Sequence, residues 1–194
     1  MANKVQFGLK NVHYAVLTES LSAAPSWGTP VAVPGAVNIN LDPETAENIF
    51  YADNQAYYRS AVSNGYTGSL EMARIPESML SAIWGYGDDA TAHVTFESAD
   101  AQQKPFALLF QFEGDQEEEL YCFYKCYASR PNVSSQTTGD GGIEPQTQTL
   151  DLTIMPVQDP TSGVMDKKVS VRTNASTTTT VRSGWFSSVF TGYA

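Results

Sequence analysis

Two histidines and two cysteines are the residues of this chain that could most readily do chemistry. His13 and His93 each stand alone in a stretch that alternates like a β-strand, and such a histidine is more often structural than catalytic. Cys122 and Cys126 are four residues apart on a predicted strand, so about 13 Å separates them and no disulfide forms within the strand. The four residues also lack the spacing of a zinc site. We therefore predict that the protein is not an enzyme and needs no metal or cofactor, and that the cysteines are buried apolar residues.

Seven acidic residues form two groups that could attract a cation or repel an anion. They are Asp42, Glu44 and Glu47 in an acidic segment, and Asp115, Glu117, Glu118 and Glu119 in a predicted hairpin turn. The segment 42–54 contains no basic residue, although it includes the apolar residues Ile49, Phe50 and Tyr51. The turn lacks the ligand spacing of a calcium-binding loop, and we interpret it as a solvated hairpin tip.

The overall charge argues against an ordinary nucleic-acid binder. The chain has 11 Lys+Arg against 21 Asp+Glu, a net charge of −10, whereas nucleic-acid-binding domains carry a basic patch. Residues 160–194 are the exception, because they contain four bases and only one acid, Asp166. Such asymmetry predicts that this tail pairs with an acidic surface. No apolar run approaches the roughly 18 residues needed to span a membrane, and residues 1–20 lack a signal-peptide pattern, so we expect assembly inside the cell.

The turn with the second acidic group joins the two most regular strands, and we call residues 106–131 the central hairpin. Its first strand places Phe106, Leu108, Phe110 and Phe112 on one face, because side chains alternate with period two. On its second strand, one face carries Leu120, Cys122, Tyr124, Cys126 and Ala128, and the other carries Tyr121, Phe123, Lys125, Tyr127 and Ser129. A free antiparallel sheet usually keeps one polar face. The central hairpin is therefore predicted to lie between two layers, or to meet a second protein chain on one face.

Further strands and one helix surround the central hairpin. Alternating apolar residues predict strands over residues 12–18, 36–41, 57–63, 66–74, 92–98, 146–155 and 168–173, with a tight turn at Asn64-Gly65. The helix is predicted over about residues 76–84, since Pro76 and Glu77 suit its start and Gly85 its end. These elements indicate a mainly β fold, a β-sandwich or barrel-like domain over residues 1–173 with one short flanking α-helix.

Residues 174–194 form the least regular part of the chain. Four successive threonines give no core-facing pattern, so this stretch is predicted to stay flexible in a free subunit. The large apolar residues Trp185, Phe186 and Phe190 follow, and water is an unfavourable environment for them. We expect this C-terminal arm to dock on a neighbouring subunit, with folding back onto its own core as the alternative.

Seven short segments, taken together and in this order, resemble one protein family. They are GLKNVHYAV (8–16), PVAVPGAVNINLDPE (30–44), FYADN (50–54), NGYTGSLEMARIPESM (64–79), KPFALLFQFEGD (104–115), YASRPNV (127–133) and IEPQTQTLDLTIMP (143–156). The resemblance is to the major tail proteins, or tail tube proteins, of long-tailed, non-contractile bacteriophages, and it covers most of the chain.

The resemblance implies a non-enzymatic subunit with a small β-sandwich or β-barrel fold and one flanking helix. Six such subunits close a ring, and rings stack into a tube through which DNA leaves the capsid. The partners would be further copies of the chain, a tape measure protein, and tail terminator and tip proteins, in a virion tail assembled in the cytoplasm of the host bacterium. DNA would pass through the lumen without specific binding, and an acidic lumen wall suits this because like charge keeps the polyanion from sticking.

Two sets of residues become candidates under this interpretation. The seven acids named above are candidates for the wall or the rim of the lumen. The candidates for contacts between subunits are Tyr121, Phe123, Tyr127, Trp185, Phe186 and Phe190. The alternative function is a β-sandwich binding module, an adhesin or a carbohydrate binder, in which Tyr57, Tyr58 and Trp27 would stack on a ligand.

Overall fold

The computed structural model describes residues 3–89, 91–114, 116–137 and 145–192. Its strands are β1 (Gln6–Thr18), β2 (Ser26–Trp27), β3 (Val31–Ala32), β4 (Ala36–Ala52), β5 (Gln55–Met72), β6 (Gly87–Asp89), β7 (Val94–Phe96), β8 (Phe106–Gly114), β9 (Glu119–Ala128), β10 (Gln148–Ile154) and β11 (Ser170–Arg172). Its helices are α1 (Glu77–Trp84) and α2 (Thr179–Gly184). The mainly β fold predicted from the sequence is confirmed.

One antiparallel sheet forms the body of the described chain. The order of its long path is β2-β1-β8-β9-β10-β5-β4, while β3 adds to β1 and β11 adds to β9. The two ends of this path approach each other, because β1 lies against β4 and a cleft between them is lined by residues of both strands. The sheet therefore curls into a nearly closed, barrel-like shape. Strands β6 and β7 pair separately.

The core has two parts, and they lie on opposite faces of the central hairpin. Phe106, Leu108 and Phe110 of β8 belong to the first cluster, which also takes in buried residues of β5, β10 and α1. Ala107 and Leu109, which alternate with them, belong to the second cluster. Both faces are thus covered by the chain itself, so the central hairpin lies between two layers, the first of the two arrangements predicted for it.

A β-bulge changes which residues of β9 share a face. The sequence pattern predicted Leu120, Cys122, Tyr124, Cys126 and Ala128 together, but the first three belong to the second cluster and the last two to the first. The cause is the change of pairing from Phe106↔Cys126 to Leu108↔Phe123, which leaves one extra residue on β9. An extra residue moves every later side chain to the other face, so the predicted alternation is wrong beyond Tyr124.

Strands β4 and β5 form a second long hairpin that leaves the sheet. They pair along almost their whole length, whereas β10 covers β5 only between Tyr66 and Met72. We call residues 43–65 the protruding hairpin. Its turn is at Asp53 and Asn54, with φ angles of 50° and 60°, so the predicted turn at Asn64-Gly65 is wrong. Asn and Asp tolerate such left-handed angles better than other residues with side chains, which makes both dipeptides good turn formers.

Gly65 marks the point where the protruding hairpin leaves the sheet. Its φ angle is +119°, and a Cβ atom there would lie only 1.9 Å from the carbonyl oxygen of Ile154, the last residue of β10. The pairing shifts here from Glu44↔Gly65 to Thr45↔Ser63, which is a β-bulge. The Asn64-Gly65 signal in the sequence is therefore real, but it corresponds to a bulge and a close approach of backbones instead of a turn.

The predicted helix and its ends are confirmed as α1. Pro76 precedes the first turn, Glu77 lies in it, and Gly85 ends the helix with a left-handed φ angle of 68°. The residues at helical spacing, Met79, Ile83 and Trp84, are buried in the first cluster. The indole nitrogen of Trp84 donates to the carbonyl oxygen of Ala128 at 3.0 Å, which ties the helix to the end of β9.

The C-terminal segment packs on its own chain in this structure. Helix α2 begins after Thr178, whose hydroxyl accepts from the backbone nitrogen of Val181, and Trp185 beyond it is only 3% exposed in the second cluster. The hydroxyl of Tyr124 donates to the carbonyl oxygen of Phe190 at 2.8 Å. Trp185 and Val189 thus belong to the second cluster of their own chain, with Phe186 and Phe190 packed against it, and the predicted boundary at residue 173 stays a prediction. Docking on a neighbour stays a prediction.

Candidate assembly surface

The protruding hairpin has two faces with different chemistry. On one face the pairs are Ala46↔Val62, Asn48↔Ser60 and Phe50↔Tyr58, and we call these six residues the neutral face. The pairs between them, Glu47↔Ala61 and Ile49↔Arg59, point to the opposite face because strand side chains alternate. Glu47 and Arg59 form an ion pair there. Over these pairs, one face of the hairpin is therefore free of charge, and the other carries a salt bridge.

Large apolar side chains on the protruding hairpin are exposed. Phe50 is 60% exposed, Tyr58 64% and Val62 58%, while Tyr51 and Tyr57 near the turn are 65% and 70% exposed. Contiguous exposed apolar surface on a folded chain usually marks an interaction site. Within the part of the chain that the structure describes, both edges of this two-stranded ribbon are also unpaired. Because an isolated two-stranded hairpin is only marginally stable in water, a partner that covers it would be favoured.

The two faces of the hairpin continue the two sides of the barrel wall. Ile39 and Leu41 of β4 pack against the first cluster and so point into the barrel. The alternation of β4 runs without a break from there to Phe50, which makes the Glu47 side the continuation of the inner surface. The neutral face continues the outer surface, on which Asp42 and Glu44 lie exposed near the root of the hairpin.

An open aromatic groove is lined by residues of β4 and β5 below the protruding hairpin, of β8 and β9 in the central hairpin, and of β11. Its volume is about 650 Å³, and we call it the aromatic groove. It is lined by Ile39, Leu41, Tyr66, Phe110, Phe112, Tyr121, Phe123, Ser170, Val171 and Arg172. The rings of Phe110 and Tyr121 are stacked with centroids 5.4 Å apart, and those of Tyr66 and Phe123 meet edge to face at 5.3 Å. Such packing holds the wall of the groove in a fixed shape.

A small polar network lies at the rim of the aromatic groove. The hydroxyl of Tyr121 donates to a carboxylate oxygen of Glu119 at 2.9 Å. A hydrogen bond with Tyr121 raises the pKa of Arg172 above its ordinary value, and the negative charge of Glu119 acts in the same direction. Among the described residues that line the groove, Arg172 is the only charged one, and the Glu119 carboxylate lies beside it at the rim, so the groove offers aromatic rings with a balanced pair of charges at the edge.

The acids predicted for the lumen fall into two structural groups. Asp42 and Glu44 are exposed on the outer surface, and Glu47 pairs with Arg59 on the opposite face of the hairpin. The other acids lie at or beside the turn of the central hairpin, where Asp115 is outside the described residues.

The acids near that turn have basic or polar partners. A carboxylate oxygen of Glu117 lies 2.8 Å from a guanidinium nitrogen of Arg182, and one of Glu118 lies 2.6 Å from the ammonium nitrogen of Lys10. The hydrogen bond from Lys10 lowers the pKa of the Glu118 carboxyl. Glu119 accepts from Tyr121. Among the described residues, no group of three or more His, Cys, Asp or Glu could hold a metal ion.

The six aromatic residues predicted as subunit contacts separate into core and surface positions. Phe123 and Trp185 are buried in the core of their own chain, at 5% and 3% exposure, and Phe123 also lines the aromatic groove. Half-buried positions are occupied by Tyr121, Tyr127, Phe186 and Phe190. The sequence analysis named Tyr57 and Tyr58 only as ligand-stacking residues of the alternative binding module, and it noted Phe50 and Tyr51 in the acidic segment without naming them as subunit contacts.

His13 lies on β1, His93 lies in a turn, and both cysteines lie on β9. The ring of His13 stacks on Phe186 with centroids 4.5 Å apart. His93 lies in the turn before β7, with a φ angle of 54°, instead of on a strand. Both cysteines are free and buried, and burial raises the pKa of the Cys126 thiol far above its ordinary range. A thiol that stays protonated is a poor nucleophile, which agrees with their interpretation as core residues.

Comparisons with known proteins add no relative to this picture. The sequence matches no protein-family model, and a search of the curated proteins gives no significant match. Among the described residues, no helix is long and apolar enough to cross a membrane.

Proposed function

We propose that this chain is the structural subunit of a phage tail tube, which self-assembles into stacked hexameric rings that form the conduit for DNA ejection. The observation that supports self-assembly best is the protruding hairpin, residues 43–65, with its exposed rings and unpaired edges. The tube, the six-fold ring and the place in the virion tail come from the family resemblance.

Burial of the protruding hairpin by other copies would be strongly favourable. Full burial of a large apolar side chain contributes roughly 1.5–3 kcal/mol. Unpaired strand edges are templates for pairing with another chain, and closed rings remove such edges. The hairpin combines both features in one element, and few other exposed apolar residues of the described chain are grouped in this way.

The acidic character of the chain suits a conduit for DNA. With a net charge of −10, the wall of a tube built from this subunit would repel the phosphate backbone. Acids that line or rim the lumen would be drawn from Asp42, Glu44, Glu47, Asp115, Glu117, Glu118 and Glu119. Contacts with a tape measure protein and with tail terminator and tip proteins belong to the same proposal and rest on the resemblance alone.

A binding module is the second candidate, and the aromatic end of the hairpin supports it. Phe50, Tyr51, Tyr57 and Tyr58 present exposed rings close to one another, and such rings stack on sugar faces in carbohydrate-binding proteins. This function needs a monomer or a small fixed oligomer, whereas a tube subunit must keep adding copies. The oligomeric state at rising concentration therefore separates the two candidates.

The test compares the full chain with a shortened chain that lacks residues 46–51 and 56–62. This deletion joins the pair Thr45↔Ser63 directly to the pair Ala52↔Gln55, so the turn and the strand register are kept. We expect rings or tubes of the full chain by electron microscopy and sedimentation, and a folded monomer for the shortened chain.

Two outcomes would contradict the proposal. A full chain that stays monomeric at every concentration and binds saccharides would favour the binding module. A shortened chain that assembles as well as the full chain would remove the hairpin as the assembly element. Circular dichroism of both chains controls for folding.

A further inference from the structure

We infer that the aromatic groove of one copy receives the neutral face of the protruding hairpin of a second copy. This inference rests on the proposed self-assembly and adds to it the two surfaces that meet. It makes the contact heterologous, since a hairpin on one copy meets a different surface on the next.

The hairpin of a given copy does not reach the groove of that same copy. Leu41 lines the groove and Phe50 lies nine residues further along the same strand, which is roughly 30 Å at about 3.3 Å per residue. The cross-strand pairs continue along this length, with one β-bulge beside Gly65 and another near the turn, so the hairpin extends away from its root. An occupant with these rings must therefore come from another molecule.

The chemistry of the two surfaces matches. The groove is walled by aromatic and aliphatic side chains, and the neutral face offers Phe50, Tyr58 and Val62. Aromatic rings prefer offset or edge-to-face contacts with other rings, and Tyr121, which is half-buried and stacks on the buried Phe110, can contact an incoming ring. The Arg172 guanidinium at the rim can lie over the face of an incoming ring.

Charge also favours this pair of surfaces over others. Two copies that each carry a net charge of −10 repel each other over most of their surfaces. The neutral face has no charged residue, and residues 43–65 as a whole carry three acids against the single base Arg59. The groove has Arg172 as its one charged lining residue. The contact thus joins an uncharged face to a groove in which Arg172 is balanced by Glu119 at the rim, so it brings no unbalanced acids of the two copies together.

The area needed for a stable contact argues against two neutral faces packing on each other. A buried aromatic side chain contributes roughly 150–250 Å², and a stable interface buries about 800 Å² on each partner. The neutral face has only two aromatic rings, Phe50 and Tyr58, so face-to-face pairing falls short. A concave groove contacts the edges of the hairpin as well as its face, which raises the buried area.

Three single variants test the pairing. Phe50→Asp places a charge on the neutral face, and Ile49→Asp places the same charge one residue away on the opposite face as the matched control. Ser170→Trp fills the groove from an exposed position of β11. We expect Phe50→Asp and Ser170→Trp to stay monomeric where the unmodified chain assembles, and Ile49→Asp to assemble within about threefold of the unmodified concentration dependence.

Mixing the two defective variants gives the sharpest test. Phe50→Asp keeps an intact groove and Ser170→Trp keeps an intact hairpin, so an equimolar mixture has one functional contact. We expect a 1:1 complex that grows no further, measured by sedimentation and native mass spectrometry. Thermal unfolding checks that each variant is folded, and Arg172→Trp on the same groove wall replaces Ser170→Trp if that variant does not fold.

The outcomes separate a failure of this inference from a failure of the proposed function. If the unmodified chain assembles and the groove-filling variant does too, or if the mixture gives no 1:1 complex, the groove is not the receptor although self-assembly stands. Equal loss of assembly in Ile49→Asp and Phe50→Asp would also overturn the assignment of the neutral face. An unmodified chain that never assembles would remove the proposed function itself.

Discussion

The central hairpin and the protruding hairpin are two long aromatic ribbons with opposite surroundings. In the central hairpin, β8 and β9 are covered on one face by β5, β10 and α1, and on the other by the C-terminal segment. In the protruding hairpin, residues 43–65 are exposed on both faces over nearly their whole length. Local sequence thus specifies strands and pairing in both, whereas burial depends on how many layers the chain can supply. The protruding hairpin has rings suited to a core, but the described part of its own chain supplies no layer to cover them.

The largest expected effect is on the free energy of unfolding, and it is seen when one aromatic ring of each hairpin is removed in turn. Phe110 is 2% exposed and stacks on Tyr121 and Phe123, so Phe110→Ala should lower the free energy of unfolding by about 3–5 kcal/mol. Tyr58→Ala should change it by no more than about 0.5 kcal/mol in the monomer, because the ring is 64% exposed. Urea unfolding at a concentration below assembly measures both. A large loss for Tyr58→Ala would mean that the protruding hairpin packs on its own body.

The next largest effect on stability concerns the C-terminal segment, which covers one face of the central hairpin. Trp185 covers the second cluster at 3% exposure, so Trp185→Ala should destabilise the monomer by about 3 kcal/mol, near the lower end for buried aromatic residues. Phe186→Ala is the matched control, because its ring is only half-buried and should cost less. A monomer whose stability is unaffected by Trp185→Ala, with random-coil NMR signals for residues 174–192, would show that this segment does not pack on its own core and would support the prediction that it docks on a neighbour.

Sequence reasoning succeeded where a feature depends on near neighbours in the chain. The helix with Pro76 before it and Gly85 after it, and the two strands of the central hairpin, follow from local spacing and local φ preferences. The fold class follows from the number of such strands.

Features that depend on distant parts of the chain were not predictable. The exchange of faces in β9 depends on a bulge opposite β8, and the role of Gly65 depends on the backbone of Ile154. The turn at Asp53 and Asn54 was hidden by the stronger Asn64-Gly65 signal. The exposure of Phe50 and Tyr58 follows from a missing layer, which no local pattern records. The sequence therefore indicated that these rings pack, without indicating on which molecule.

The smallest effect identifies which face of the protruding hairpin is in contact. Glu47 and Arg59 pair on the face opposite Phe50, with side chains that are 46% and 64% exposed. A double-mutant cycle with Glu47→Gln and Arg59→Gln should give a coupling energy of about 0.2–1 kcal/mol in the monomer, and added salt should reduce it.

The coupling energy between Glu47 and Arg59 would be larger if their face of the protruding hairpin became buried on assembly. Loss of one partner of a buried ion pair leaves the other charge unpaired, which typically costs about 3–5 kcal/mol. We expect Glu47→Gln to shift the concentration for half-assembly by less than about fivefold, because the neutral face makes the contact and the ion pair stays in water. A shift of a hundredfold or more, together with a folded monomer, would place the Glu47 side in the interface. The ion pair contributes little to the fold, and for that reason its response to assembly reports the environment of its face and not the stability of the subunit.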